Sequence, residues 1–168
     1  LTLDPRPHID PMMSIAIPLL MVIGGSPVII GGAKPVPVDP FNLRDKRKDV
    51  ALVALAGPLT NICLASLAAG LIHILTFSNP PALFIALLDM IITINLSLAF
   101  FNLLPIPPLD GSKLFSLFLP EKEALAYLSI GNIGIFILFF LLAFPIGSFS
   151  LGSFLWTLIT FSRTILGV

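Results

Sequence analysis

Charged residues are scarce in this sequence, and their scarcity excludes most classes of soluble protein. Only 11% of the 168 residues are charged and 57% are hydrophobic, whereas soluble domains carry about a quarter charged residues. The formal net charge is zero, so nothing predicts a nucleic-acid partner. The composition predicts an integral membrane protein that lies in a lipid bilayer.

Cysteine and histidine are almost missing as well. The single cysteine, Cys63, cannot form an internal disulfide, and we interpret it as a small core residue. The two histidines, His8 and His73, are far apart, and we interpret His73 as an interfacial residue rather than a metal ligand. The sequence therefore contains no Cys–His cluster of the kind that holds structural zinc.

Long apolar runs make up most of the chain. A bilayer is crossed by ~20 apolar residues in a helix, and four to five runs approach that length. We therefore predict an all-α polytopic membrane protein with a single membrane-embedded domain over residues 1–168. The first run is broken by Pro18 and by prolines and glycines near its end, so it is either a kinked span or a segment that enters and returns. The runs are 12–30, 50–77, 82–104, 125–144 and 153–168.

The polar loop 31–49 holds the densest positive charge, which predicts that it is cytoplasmic. Prolines alternate with valines over 33–40, so a short extended, β-like stretch is expected there. Two apolar runs separate this loop from Lys113 and Lys122, which places those lysines on the same side. The last run, as a fifth crossing, would then bring Arg163 back to the cytoplasmic side.

The turn at 102–111 interrupts an apolar helix with a carboxylate. Pro105, Pro107 and Pro108 cannot continue a helix, and Asp110 follows them. A carboxylate at a broken membrane helix indicates a functional site. The alternative is a plain interfacial loop in which Asp110 caps the next helix.

Two polar segments are expected at one end of the helices. Residues 56–61 begin the second run and end in Asn61, and the turn 102–111 closes the third run with Asn102 and Asp110. Consecutive antiparallel helices bring these segments together. A carboxylate with amide neighbours suits a metal, a proton relay or a polar substrate.

The sequence resembles the site-2 protease family of intramembrane zinc metalloproteases. The run FNLLPIPPLDG at 101–111 is similar to its N-x-x-P-x-P-x-x-D-G signature, and ALAGPLTN at 54–61 is similar to its G-P-x-x-N helix start. Residues 1–11 and 33–40 resemble R-L-T-L-N-P…H-I-D-P and A-K-P-V-P-V-N-P of the prokaryotic branch, with Asp4 and Asp39 in place of Asn.

The resemblance implies a Zn²⁺ cofactor, Asp110 as its third protein ligand, and a transmembrane protein as substrate. It also implies that Asn61 contacts the scissile peptide or its oxyanion, and that Asn102 contacts the substrate. The family implies a prokaryotic cell membrane with the site toward the cytoplasm, and it favours a re-entrant hairpin for 12–30. It does not specify an oligomeric state.

The family's H-E-x-x-H helix is missing from these residues. We therefore expect the chain to be an N-terminally truncated fragment that lacks the general-base glutamate and is inactive alone. Two alternatives to the protease remain: a catalytically inactive relative that acts as a membrane-protein binding module, and a transporter fragment that uses Asp89 and Asp110. A transporter is disfavoured because we find no internal repeat.

Overall fold

The protein, represented by a computed structural model, is described here for residues 46–168 except 79, and before them for residues 15, 16, 19, 20 and 23. The chain divides into two compact units, Leu1–Asn42 and Leu43–Val168, and the five described residues of the first have helical backbone. The expected hairpin at 12–30 and the extended stretch at 33–40 lie outside the described residues.

The second unit is all-helical over the residues that are described, as the composition predicted. Its longest helix begins inside the expected polar loop, so residues 46–49 are already helical. The helices are α1 (Lys46–Leu75), α2 (Ala82–Asn102), α3 (Asp110–Ser116), α4 (Glu121–Ser129), α5 (Gly131–Ala143) and α6 (Leu151–Leu166), with a short 3₁₀ turn at Thr76–Ser78.

Two helices in the described part are long and apolar enough to cross a membrane, namely Arg47–Ser78 and Ala82–Asn102. The expected fourth run is not one straight span. It divides into α4 and α5, with a bend of 69° between Glu121–Ser129 and Ile133–Ala143. Gly131 allows the break because its φ of 46° is left-handed, a conformation that costs glycine little. The described residues thus contain two candidate spans, or three if the bent pair is one span, and the expected four to five are not confirmed.

The main core lies where α1, α2 and α6 meet. Small side chains on α1 allow the neighbouring backbone to approach closely, which is how helices associate in lipid. We had expected Cys63 to be a core residue, but it is exposed. The buried members of this core are Ala65, Ala68, Ala69, Leu88, Ile92, Leu96 and Ile159.

The beginning of α1 and the end of α3 lie together. Arg47 donates hydrogen bonds to the carbonyl of Ser116 and, at 2.8 Å, to that of Leu119. Ser116 is the last residue of α3, and its carbonyl also accepts the amide of Leu119 at 3.2 Å. A cation at a helix C-terminus is favourable because the last carbonyls of a helix carry partial negative charge. Arg47, near the end of the basic loop, and the segment that carries Lys113 therefore lie at the same end of the helices.

Helix α6 runs in the opposite sense to the one we expected. It begins beside the broken end of α2, because Leu151 packs with Leu104 and Leu138. It ends beside α1, where the carbonyl of Leu166 lies 2.7 Å from Nε2 of His73. Arg163 is thus at the end of the bundle opposite to Asp110, and the predicted return to the Asp110 side is wrong.

Candidate metal centre

The turn that carries Asp110 leaves helical geometry where the prolines begin. Helix α2 ends at Asn102, and short turns bridge the next residues, with the Ile106 amide donating to the carbonyl of Leu104 at 2.8 Å. Leu109 is extended, and Asp110 is the first residue of α3. A carboxylate in the first turn of a helix is stabilised by the helix dipole. The predicted break and the predicted position of the acid are both present.

Two glycines fix this turn by close backbone contact. A Cβ atom at Gly111 would overlap the carbonyl oxygens of Leu103 and Leu104. A Cβ atom at Gly134, on α5, would overlap the carbonyl oxygen of Pro107. Backbone atoms cannot rotate away as a side chain can, so only glycine fits at either position.

Helix α4 contacts the chain both before and after Asp110 in the sequence, through Tyr127. The hydroxyl of Tyr127 donates to the carbonyl of Pro105 at 2.7 Å. The ring of Tyr127 also packs edge-on against Phe115, with centroids 5.6 Å apart. The sequence reasoning missed Tyr127 and Gly134. Tyr127 is the only tyrosine of the chain, and that rarity beside an apolar run was the signal available.

The two oxygens of Asp110 have different surroundings. Oδ1 lies 2.8 Å from Nζ of Lys113. Oδ2 lies 3.9 Å from the position that a Cβ atom on Gly57 would occupy. The carboxylate is about one-third exposed (33%), so one oxygen is held by a cation and the other lies against α1.

The contact with Gly57 joins the two sequence segments that were expected to converge. Gly57 opens the G-P-x-x-N stretch of α1, and the buried Pro58 follows it. Asn61 is four residues beyond Gly57 and therefore lies on the same helix face. The juxtaposition of residues 56–61 with Asp110 is confirmed through Gly57.

Neither asparagine is held by a hydrogen bond within residues 46–168. Asn61 lies in α1 and Asn102 is the last residue of α2, and both are partly buried. An amide offers two donors and an acceptor oxygen, so each side chain can still bind a partner. Their assignment to substrate stays a prediction.

Asp110 fits the requirements of one metal ligand. An exposed carboxylate oxygen is a hard donor that Zn²⁺ accepts alongside histidine nitrogen. Across the described part of the chain no group of three or more His, Cys, Asp or Glu side chains converges. His73 lies at the opposite end of the helices, where its Nε2 is 2.7 Å from the carbonyl oxygen of Leu166. Among the described residues, Asp110 is therefore the one that we expect to act as a metal ligand.

Comparison with known proteins places the chain in a family. The model of peptidase family M50 matches residues 66–145. A Bacillus subtilis protein that bears the name zinc metalloprotease YwhC is 32% identical over 160 residues, which cover 90% of this chain and 68% of YwhC. The chain belongs to peptidase family M50.

Two further relatives match a smaller share of this chain. Rip2 of Mycobacterium tuberculosis, also named a zinc metalloprotease, is 37% identical over 111 residues, covering 66% of this chain and 41% of Rip2. MJ0611 of Methanocaldococcus jannaschii, with the same description, is 38% identical over 95 residues, covering 56% of this chain and 46% of MJ0611. No solved structure matches this M50 chain significantly.

The family match covers one side of the site and leaves out the other. Residues 66–145 include Asp110 and the two residues that support its turn, Tyr127 and Gly134. Gly57 and Asn61 lie before the matched range. The resemblance to the site-2 protease family, drawn from the motifs, agrees with the M50 assignment.

Proposed function

We propose that this chain is part of an intramembrane zinc metalloprotease that hydrolyses peptide bonds in or near the transmembrane segments of other proteins. The observation that carries the proposal is the position of Asp110 on the first turn of α3, with its Oδ2 against the G-P-x-x-N segment of α1. The relatives' name, zinc metalloprotease, supports the reaction class.

Asp110 would hold Zn²⁺ as one of its protein ligands. When bound, zinc supplies an activated water and polarises the substrate carbonyl. The protein's own contribution is a carboxylate at a helix break, next to α1 at Gly57, which has no side chain. Because Gly57 has no side chain, there is space beside the carboxylate, and an alanine at position 57 would make that space smaller.

Asn61 would bind the substrate. It is one helical turn beyond Gly57, and no bond within the described residues holds its amide. An amide N–H aimed at the carbonyl of an extended peptide would stabilise the charge that develops on that oxygen. Asn102, at the broken end of α2, would contact the same peptide from the second helix.

The experiment is a cleavage assay on the protein expressed from its own gene and reconstituted in liposomes with a single-span reporter protein. Asp110→Asn keeps the size of the side chain but removes its charge, and we expect cleavage to fall by about 100-fold or more. Zinc chelation should abolish cleavage and added zinc should restore it.

The matched control is Glu123→Gln, an acid-to-amide change at an exposed position of α4, which should leave cleavage unchanged. The competing function is an inactive relative that binds membrane proteins without cutting them. Reporter binding without zinc-dependent cleavage in the wild-type protein would favour that alternative and reject the protease.

A further inference from the structure

Lys113 stands one turn after Asp110 on the same face of α3, and its ammonium contacts only one of the two carboxylate oxygens. Nζ lies 2.8 Å from Oδ1. Residues three apart on a helix are neighbours, so the pair is local and does not hold two elements together. Ser112 and Ser116 of the same helix are buried, whereas Asp110 and Lys113 are each about one-third exposed.

One other acidic residue, Glu121, lines the same cavity as Lys113. The cavity, of about 250 Å³, lies between α1, α3 and α4, and Arg47 and Ser116 also line it. Arg47 bonds to backbone carbonyls at the end of α3. The ammonium of Lys113 nevertheless lies against Asp110 rather than extending into solvent.

The contact leaves Asp110 with one free oxygen of defined direction. A carboxylate at the start of a helix can rotate about two side-chain bonds. A charged donor on Oδ1 restricts that rotation, and Oδ2 is the oxygen that lies toward Gly57. Carboxylates that bind metals are themselves held by hydrogen bonds from neighbours, and loss of such a neighbour lowers metal affinity.

We propose that Lys113 is a positioning residue for the metal ligand: it holds Oδ1 so that Oδ2 of Asp110 is presented to the metal. This inference rests on the proposed function. In this role Lys113 acts through Asp110 and needs no contact of its own with the metal or the substrate.

Two simpler roles make opposite predictions. If Lys113 forms an ordinary exposed ion pair, its loss changes neither the metal affinity nor, to any large extent, the stability. If Lys113 competes with the metal for Asp110, its removal takes a positive charge away and binding becomes tighter. Only a positioning role predicts weaker binding on removal of a cation.

The test measures Zn²⁺ affinity by chelator competition, using the protein expressed from its own gene and held in lipid nanodiscs. We expect Lys113→Met to weaken Zn²⁺ binding about 10- to 100-fold, and Lys113→Arg, which keeps a cationic donor, to recover most of that loss. The visible spectrum of the Co²⁺-loaded protein should change in Lys113→Met and be restored in Lys113→Arg.

Lys122→Met is the matched control, because Lys122 is exposed on α4 and the charge change is identical; it should bind Zn²⁺ as the wild type does. If Lys113→Met does not accumulate in folded form, Lys113→Gln takes its place. Unchanged or tighter binding in the Lys113 variant overturns the proposal. Unchanged binding in Asp110→Asn would instead overturn the proposed function, so the two failures are distinguishable.

Discussion

Each end of the α1–α2 pair holds an aspartate beside a cation, but the backbone that carries the aspartate differs. At one end Asp89 lies within the continuous helix α2 and pairs with Arg163 of α6, which also donates to Thr93 at 2.7 Å. At the other end Asp110 follows a broken helix and pairs with Lys113 of its own helix.

The two pairs therefore do different things. The Asp89–Arg163 pair links two helices that are far apart in sequence, and it pairs charges that would be costly alone in lipid. The Asp110–Lys113 pair links nothing beyond one helical turn. An acidic residue in an apolar chain does not by itself indicate a site. Our proposal of a site at Asp110 depends on the irregular backbone around it, which Gly111 and Gly134 fix by close contact.

The largest effect is expected from substitutions that disturb the backbone fixed around Asp110. Gly134→Ala should lower the free energy of unfolding by about 3 kcal/mol or more, because its Cβ would meet the carbonyl of Pro107. Gly70→Ala, in the middle of α1, should raise it by about 0.5–1 kcal/mol, because no described atom lies within 4 Å of the added carbon. Thermal unfolding in detergent micelles measures both.

Equal effects of the two alanine substitutions would contradict the account of the turn. They would mean that α5 can move away from Pro107 at no cost. Asp110 would then owe its position to the prolines alone.

A smaller difference is expected from two hydrogen bonds, one at each end of the α1–α2 pair, that each join a side chain to a backbone carbonyl. Tyr127 bonds to the carbonyl of Pro105 at the broken end, and His73 bonds to the carbonyl of Leu166 at the other. Tyr127→Phe and His73→Phe should each cost about 1 kcal/mol of stability. Only Tyr127→Phe should lower cleavage, because only that bond supports the turn before Asp110.

Cleavage of the reporter and thermal unfolding, measured on the same preparations, separate the two effects. A loss of cleavage in His73→Phe equal to that in Tyr127→Phe would show that activity merely follows stability. The hydrogen bond from Tyr127 to Pro105 would then contribute to stability without a specific effect on the site.

The sequence was sufficient for the local features of the site. The cluster of Pro105, Pro107 and Pro108 cannot be helical, so the break and the position of Asp110 were predictable. The convergence with residues 56–61 followed from two antiparallel helices, and Gly57 confirms it. These features depend on neighbours in the chain or on the simplest helix pairing.

The features that were missed depend on the path of the chain after the turn. Counting spans assumed that residues 125–144 cross the membrane straight, but the chain bends at Gly131, whose φ is 46°. The bend brings Gly134 to Pro107 and lets α6 begin near Leu104. For this reason the location of Arg163 was predicted wrongly, and Tyr127 and Gly134 were not connected to the site.

The central claim is that Asp110, and not Asp89, binds metal. The most direct measurement is the zinc content per protein molecule, by elemental analysis, of Asp110→Asn and Asp89→Asn made in the protein expressed from its own gene. We predict that Asp89→Asn keeps the wild-type zinc content with a lower melting temperature, whereas Asp110→Asn loses zinc. Wild-type zinc in Asp110→Asn, or equal loss in both variants, would contradict the account.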